Sequence, residues 1–261
     1  MKFLKNLASQ LSIFLTVALA FSCFPACSEK EFDPTDPQKS FVVAKEYFDD
    51  GNYEIGIQKL REFKARFPYS QYTAEAELLI ADSHYNLSQF IEAASAYEQF
   101  AKLHPKHKKV DYALYRQGQS YWSEAPEEVD REQVFTESAI DAWKQLLERF
   151  PESTYAKEVG QLVATGTRRI ADSYNFVAKF YCKMEIWHAC AYRNTKIVND
   201  YSQFKDLALK ASLEAAKALD LLANEKAKDM TSDKNVYFRD LTPEKLKSLA
   251  AGMRKKSEEF K

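Results

Sequence analysis

Glycine and proline are scarce, at 6 and 8 of 261 residues. A β-sandwich or barrel needs turn signals about every 8–12 residues, so this chain has too few breakers for one. Runs of Val, Ile and Thr bounded by turn clusters are absent as well. What remains is an all-α chain with long helices. Cysteine and histidine number 4 each, with no Cys-x-x-Cys and no His-Glu-x-x-His, so no metal-ligand spacing stands out. His104 and His107 share one turn without a cysteine nearby. No glycine-rich loop is placed to cradle phosphate, and no serine or cysteine has the setting of a nucleophile. The chain therefore points to no catalytic residue, no metal and no cofactor. A formal net charge of −1 gives no electrostatic footprint for nucleic acid. Long apolar runs are missing too. Leu11 to Phe21 is too short for a comfortable membrane span.

That short run has another use. Lys2 and Lys5 precede it, and it ends in Ala20-Phe21-Ser22-Cys23. Residues 1–22 read as a targeting segment outside the fold, and the ending resembles a bacterial lipobox. Cys23 is the expected lipid-attachment site, with Cys27 (after Phe24-Pro25-Ala26) as the alternative. Acyl chains there would tether the protein to a membrane. Phe24 stands where bacterial sorting commonly uses aspartate to retain a lipoprotein in the inner membrane, which favours the outer one. From about Ser28 to Gln38 the chain is polar and proline-marked, and residues 23–36 read as a flexible tether.

The 46% of apolar residues are organised by an internal repeat. Pro37 to Ser70 and Ala74 to His107 superimpose with an offset of 37 residues. Ala44 falls on Ala81, Gly56 on Ala93, Phe63 on Phe100 and Pro68 on Pro105. Each copy has 34 residues, the period of the tetratricopeptide repeat, a helix–turn–helix unit. Small residues let two antiparallel helices approach, and large ones such as Leu60, Phe63, Tyr97 and Phe100 fill the groove to the next hairpin. One hairpin cannot bury its own apolar face, so copies must stack. A third copy runs over 108–153. Its second helix resumes at Ala139, Trp143 and Leu146 only after an insertion, Glu124 to Glu132, with five acids and one arginine. From Ser153 the pattern stays helical to about Lys183, and a fourth copy follows, with Ser202 where a proline is expected. A fifth, partial copy is alanine-rich and ends near Leu222. Residues 223–261 read as a charged linker over 224–241 and a last helix opened by Thr242-Pro243-Glu244. The fold expected is a tetratricopeptide-repeat superhelix of about five helical hairpins.

Two expectations concern side chains. The first helices of the hairpins carry Phe48, Tyr85 and Trp122 at one equivalent position and Phe41, Leu78 and Tyr115 at another. Lys45, Asp82 and Gln119 lie between them. This reads as an aromatic groove suited to an extended apolar peptide, or else as packing between repeats. Cys190 occupies the slot of Gly56 and Ala93, so Cys182 and Cys190 are expected as two small core thiols rather than a disulfide. His84 falls where Tyr47 and Tyr121 fall and is expected as a core-edge ring rather than a base.

Three stretches carry a family resemblance: Asp50-Gly51-Asn52-Tyr53 through Arg66-Phe67-Pro68-Tyr69-Ser70; His104-Pro105-Lys106-His107 into Asp111-Tyr112-Ala113-Leu114-Tyr115-Arg116-Gln117-Gly118; and Phe150-Pro151-Glu152-Ser153-Thr154-Tyr155. The insertion containing Val129-Asp130-Arg131 adds to them. Over roughly Phe32 to Asn224 the chain resembles the BamD (YfiO) family, tetratricopeptide lipoproteins of the β-barrel assembly machine. The resemblance implies an anchor in the outer membrane facing the periplasm. It also implies two partners: the POTRA domains of BamA, and unfolded outer-membrane β-barrel proteins taken up by the first repeats. Trp187 and Arg193 line up with a tryptophan and an arginine of the family, and that arginine meets a POTRA carboxylate. Other assembly lipoproteins are a further class of partner. The insertion that bears on them is shorter here than in well-known members, and the charged tail is longer. A periplasmic repeat adaptor for pilus-secretin assembly or envelope division would share the anchor and the repeats.

Overall fold

A computed structural model describes residues 33–228 and 237–261. The signal segment, Cys23, Cys27 and most of the expected tether lie outside the described residues. Within them the chain forms ten α-helices and no strand. In order these are α1 Pro37–Asp49, α2 Tyr53–Arg66, α3 Thr73–Asn86, α4 Phe90–Leu103, α5 Val110–Glu124, α6 Val134–Arg149, α7 Ala156–Lys183, α8 Trp187–Asp200, α9 Lys205–Lys228 and α10 Pro243–Glu259. Each helix packs chiefly on its neighbours in sequence. This is the quasi-one-dimensional contact pattern of stacked repeats, with five helical hairpins.

The backbone repeats as faithfully as the side chains. In three hairpins the first helix ends on a residue with positive φ: Gly51 at 77°, Ser88 at 58° and Glu185 at 58°. The amides around it close the helix alike. Gly51, Ser88 and Glu185 donate to the carbonyls of Phe48, Tyr85 and Cys182, and Asn52, Gln89 and Ile186 donate to Tyr47, His84 and Tyr181. A left-handed residue that returns its neighbours' amides to the last helical carbonyls is a recurrent helix stop. Glycine takes that conformation freely, whereas serine and glutamate meet a steric penalty. The turns between hairpins repeat too. Phe67, His104, Phe150 and Tyr201 each donate back to the preceding helix. Ser202 leaves this turn unchanged, because the shared bonds do not involve its amide.

Close approach of the helices explains the small residues. A Cβ on Gly56 would stand 3.4 Å from the Phe48 amide nitrogen, and one on Gly118 would stand 2.1 Å from Trp143 Nε1. Trp143 is fully buried and donates to the Tyr115 carbonyl at 3.2 Å. Gly118 is therefore the space that the largest core side chain occupies.

The end of the chain closes on itself. Helix α9 continues to Lys228, so residues 224–228, read above as linker, are helical. Helix α10, for which the sequence offered no partner, packs along α9. Thr242 accepts from the Lys245 amide and Pro243 takes the first turn. Lys226, buried despite its charge, donates to the carbonyls of Phe238 and Leu241 at 3.0 and 2.5 Å and to that of Arg239. A buried ammonium needs such acceptors, and here it ties the return segment to α9.

Candidate functional site

The expected groove comes out divided. Phe41 and Leu78 are core residues, 5% and 2% exposed, in two separate apolar clusters. The partly exposed members each have an internal partner. Phe48 meets Tyr53 edge-on, Tyr85 meets Phe90 likewise, and Trp122 lies 5.7 Å from Trp143. Tyr115 stacks on Tyr155 at 4.5 Å. Lys45 pairs with Asp49 at 2.6 Å within α1.

The polar members of hairpins two and three form one network. Asp82 accepts from the Tyr97 hydroxyl at 2.5 Å and the Tyr112 hydroxyl at 2.7 Å. Burial, and after it the Asp82 charge, pushes both phenols well above their ordinary value of 10.0. Arg116 donates to the Tyr97 oxygen at 3.3 Å and to Gln119 at 3.1 Å. Gln119 donates to Tyr115, which donates to Glu158 on α7 at 2.8 Å. Burial and that bond raise the Tyr115 phenol to about 12. All three phenols are thus protonated donors at neutral pH. Arg116 also lies 3.6 Å above the Tyr85 ring, and Arg169 lies 3.9 Å above Trp122. Cations over aromatic faces stabilise both partners. The sequence reading overlooked both arginines. Arg169 is 47 positions from Trp122, and no local spacing announces such a pair.

His84 is buried at the repeat core, held by Gln89 at 2.6 Å through Nδ1. His104 is held by Glu77 at 2.6 Å.

The fourth hairpin overturns one expectation. Cys182 and Cys190 form a disulfide; they are not two separate thiols. The physical reason lies in the repeat. Cys182 is equivalent to Phe48, and Cys190 to Gly56. That pair touches in the first hairpin, and here two cysteines stand at the same contact, Cα to Cα 4.8 Å. The slot assignment for Cys190 was itself the signal, because it also fixes where Cys182 must lie. Trp187 takes the equivalent place of Tyr53 and Phe90. It packs against the C-terminal core cluster.

Arg193 lies on α8 at a cavity of ≈ 340 Å³ between the start of α6, α7 and α8. Glu132, Glu137, Ile170, Tyr174 and Val177 share its lining. Arg193 is half-buried and makes no ion pair among the described residues, with either glutamate or any other group. The acidic insertion forms one side of this region. Gln133, buried at its end, donates to the carbonyls of Glu128 and Arg131 at 3.0 and 3.1 Å. Arg169 reaches the Pro126 carbonyl at 3.3 Å. The insertion is therefore pinned against α6 and α7.

Stacked hairpins of this length and contact pattern define a repeat protein of the tetratricopeptide type. Residues 34–231 match the YfiO family, described as outer membrane lipoproteins. The chain belongs to that family. Curated relatives named outer membrane protein assembly factor BamD agree with the match. The chain is 27% identical to that of Neisseria gonorrhoeae over 73% of this chain and 76% of the relative. It is 28% identical to that of Neisseria meningitidis serogroup A over 72% and 77%. Against that of Vibrio cholerae it is 25% identical over 81% and 91%. Among the described residues no helix is long and apolar enough to cross a membrane.

Proposed function

We propose that the chain is a scaffold lipoprotein of the outer-membrane β-barrel assembly complex and not an enzyme. It is held by lipid on Cys23, with Cys27 as the alternative, at the periplasmic face of the outer membrane. It binds BamA POTRA domains through the α8 region of Trp187 and Arg193. It takes segments of unfolded barrel proteins along α1, α3 and α5, with Phe48, Tyr85, Tyr115 and Trp122 as the reachable rings. Phe41 and Leu78 support these rings from the core, and Lys45, Asp82 and Gln119 set the polarity between them. Other assembly lipoproteins would meet the insertion.

The observation that carries this reading is Arg193. A half-buried guanidinium is poorly placed to remain without a carboxylate. Here it lines an open cavity and pairs with neither Glu132 nor Glu137, which share the lining; an arginine so placed has its donors available for a partner's acid. The names of the relatives support the complex. The test is purification of the tagged protein from outer membranes in mild detergent, with mass spectrometry of what accompanies it. A stoichiometric barrel protein carrying POTRA domains is the expected result. A secretin or division proteins in its place would move the function to the adaptor reading and leave the fold untouched.

A further inference from the structure

In the first three hairpins the first helix meets the second through a ring: Phe48 against Tyr53, Tyr85 against Phe90 and Trp122 against Trp143. The fourth hairpin departs from this. Trp187 keeps the place of Tyr53 and Phe90, but the position of Phe48, Tyr85 and Trp122 is Cys182, bonded to Cys190. A cysteine fills much less space than a ring, and an opening of ≈ 390 Å³ lies against it between α7, α8 and α9. A covalent bond stands here in place of ring packing.

The two sulfurs are not equally reachable. Cys182 is half-buried and lines the opening. Cys190 is 1% exposed and does not line it. Asn194, itself buried, holds its Nδ2 3.3 Å from the Cys182 sulfur and 3.7 Å from the Cys190 sulfur. Thiol–disulfide exchange depends on which sulfur an incoming thiolate can reach and on how well the other one leaves. Access selects Cys182, and the Asn194 amide keeps a donor beside Cys190 as it departs.

We infer that Cys182 is a thiol-exchange site, and that opening this bond loosens α8 from α7. The reagent class is a dithiol. Its first thiolate attacks the Cys182 sulfur and forms a mixed disulfide while the Cys182–Cys190 bond breaks. The bonding pair leaves with Cys190, whose thiolate takes a proton from water. The second thiolate of the reagent then attacks its own sulfur in the mixed disulfide. Cys182 departs with that bonding pair and is protonated in turn. The protein gains two electrons and the reagent is left as a disulfide. Two thiols then face each other where the other hairpins have rings, so neither bond nor ring joins α7 to α8 at that level. Helix α8 carries Trp187 and Arg193, so exchange at Cys182 alters the footing of both. The inference does not rest on the partner proposed above.

The test uses the full-length protein in detergent, capped with maleimide first so that no other thiol reacts. Glutathione is added briefly, the reaction is quenched with acid, and new thiols are capped after unfolding. Trypsin cuts after Lys183 and so separates the two cysteines. Glutathione is expected on the Cys182 peptide and the cap on the Cys190 peptide. Glutathione on Cys190, an even division between the two, or a bond that reacts only in the unfolded chain would overturn the assignment. A second arm reduces the bond with dithiothreitol under native conditions and follows amide exchange. Protection is expected to fall along α8 and to hold along α1 to α4. Cys182→Tyr/Cys190→Ala, which installs the residues of the second hairpin, is expected to keep α8 protected with or without the dithiol. Unchanged protection of α8 in the reduced unaltered protein would overturn the loosening, as would a dithiol-dependent loss in the double variant.

Discussion

The front three hairpins and the rear two solve the same packing problem with opposite residues. In front, the fully buried side chains include Phe63, Tyr97, Phe100 and Trp143. In the rear, nine of the 17 residues in the buried cluster are alanine and none is aromatic. The rear aromatics Tyr174, Tyr181, Trp187, Tyr201 and Phe204 lie at that cluster's rim, partly exposed. Small residues let the rear helices approach closely, so large rings have no room inside. The difference teaches where binding can occur. The front places its largest rings in the core and covers Tyr85 and Trp122 with Arg116 and Arg169, which leaves a partly open aromatic face. The rear leaves rings, lysines and Arg193 within reach of a partner.

Core substitutions are the strongest way to break this contrast. Trp143→Ala should cost about 4 kcal/mol, the range for deleting a buried large ring. Ala216→Leu in the rear should cost about 2 kcal/mol by overpacking, although it adds apolar surface. Urea denaturation of both variants checks the signs, and a rear half that accepts leucine freely would remove the distinction.

The disulfide sharpens it next. Among the described residues only the rear holds a cysteine pair, and it closes a loop of sequence separation 8. Replacing both cysteines by alanine should remove about 2.5 kcal/mol by loop-closure entropy. Amide exchange should speed up around α7 and α8 and leave α1 to α4 unchanged.

A smaller gain is expected at the turns. Glu185→Gly in the rear and Ser88→Gly in front each relieve a positive φ at an exposed position. Each should raise the unfolding free energy by about 1 kcal/mol, read as a higher urea midpoint. A loss at either site would show that the side chain there does more than occupy a turn.

The smallest effect is one of pH, and both halves share it. Burial lowers His107 in front and His188 in the rear below the ordinary 6.5, and for His107 the neighbouring His104 charge adds to the lowering. A depressed histidine binds its proton more readily in the unfolded chain. Stability should therefore be unaffected above about pH 7 and should fall slightly as pH drops through 6.5. His107→Gln and His188→Gln should each flatten the urea midpoint between pH 7.5 and 5.5.

Much of this fold was legible because a repeat says everything more than once. The 37-residue offset located the hairpins, and the spacing of Ala44 and Gly56 placed each close contact. The parts that stayed hidden are single events between distant positions. Lys226 reads as one more solvent-facing charge until three carbonyls 12 to 15 residues onward fold back on it. Arg116 and Arg169 cover their rings from neighbouring elements. The disulfide is legible in the repeat as well, because the slot that asks Cys190 to be small also puts Cys182 opposite it. The aromatic positions were found correctly as equivalent, yet equivalence did not reveal which would be buried. Phe41 and Leu78 face the adjacent hairpin, and only the stacking decides that.

The most direct measurement is a binding titration of purified BamA POTRA domains against the unaltered protein and Arg193→Glu. The account predicts binding by the former and a loss of at least about tenfold in the variant, as expected when a charge-paired contact is reversed. Unchanged affinity in Arg193→Glu would contradict the claim that the rear half holds its arginine unpaired for a partner's acid.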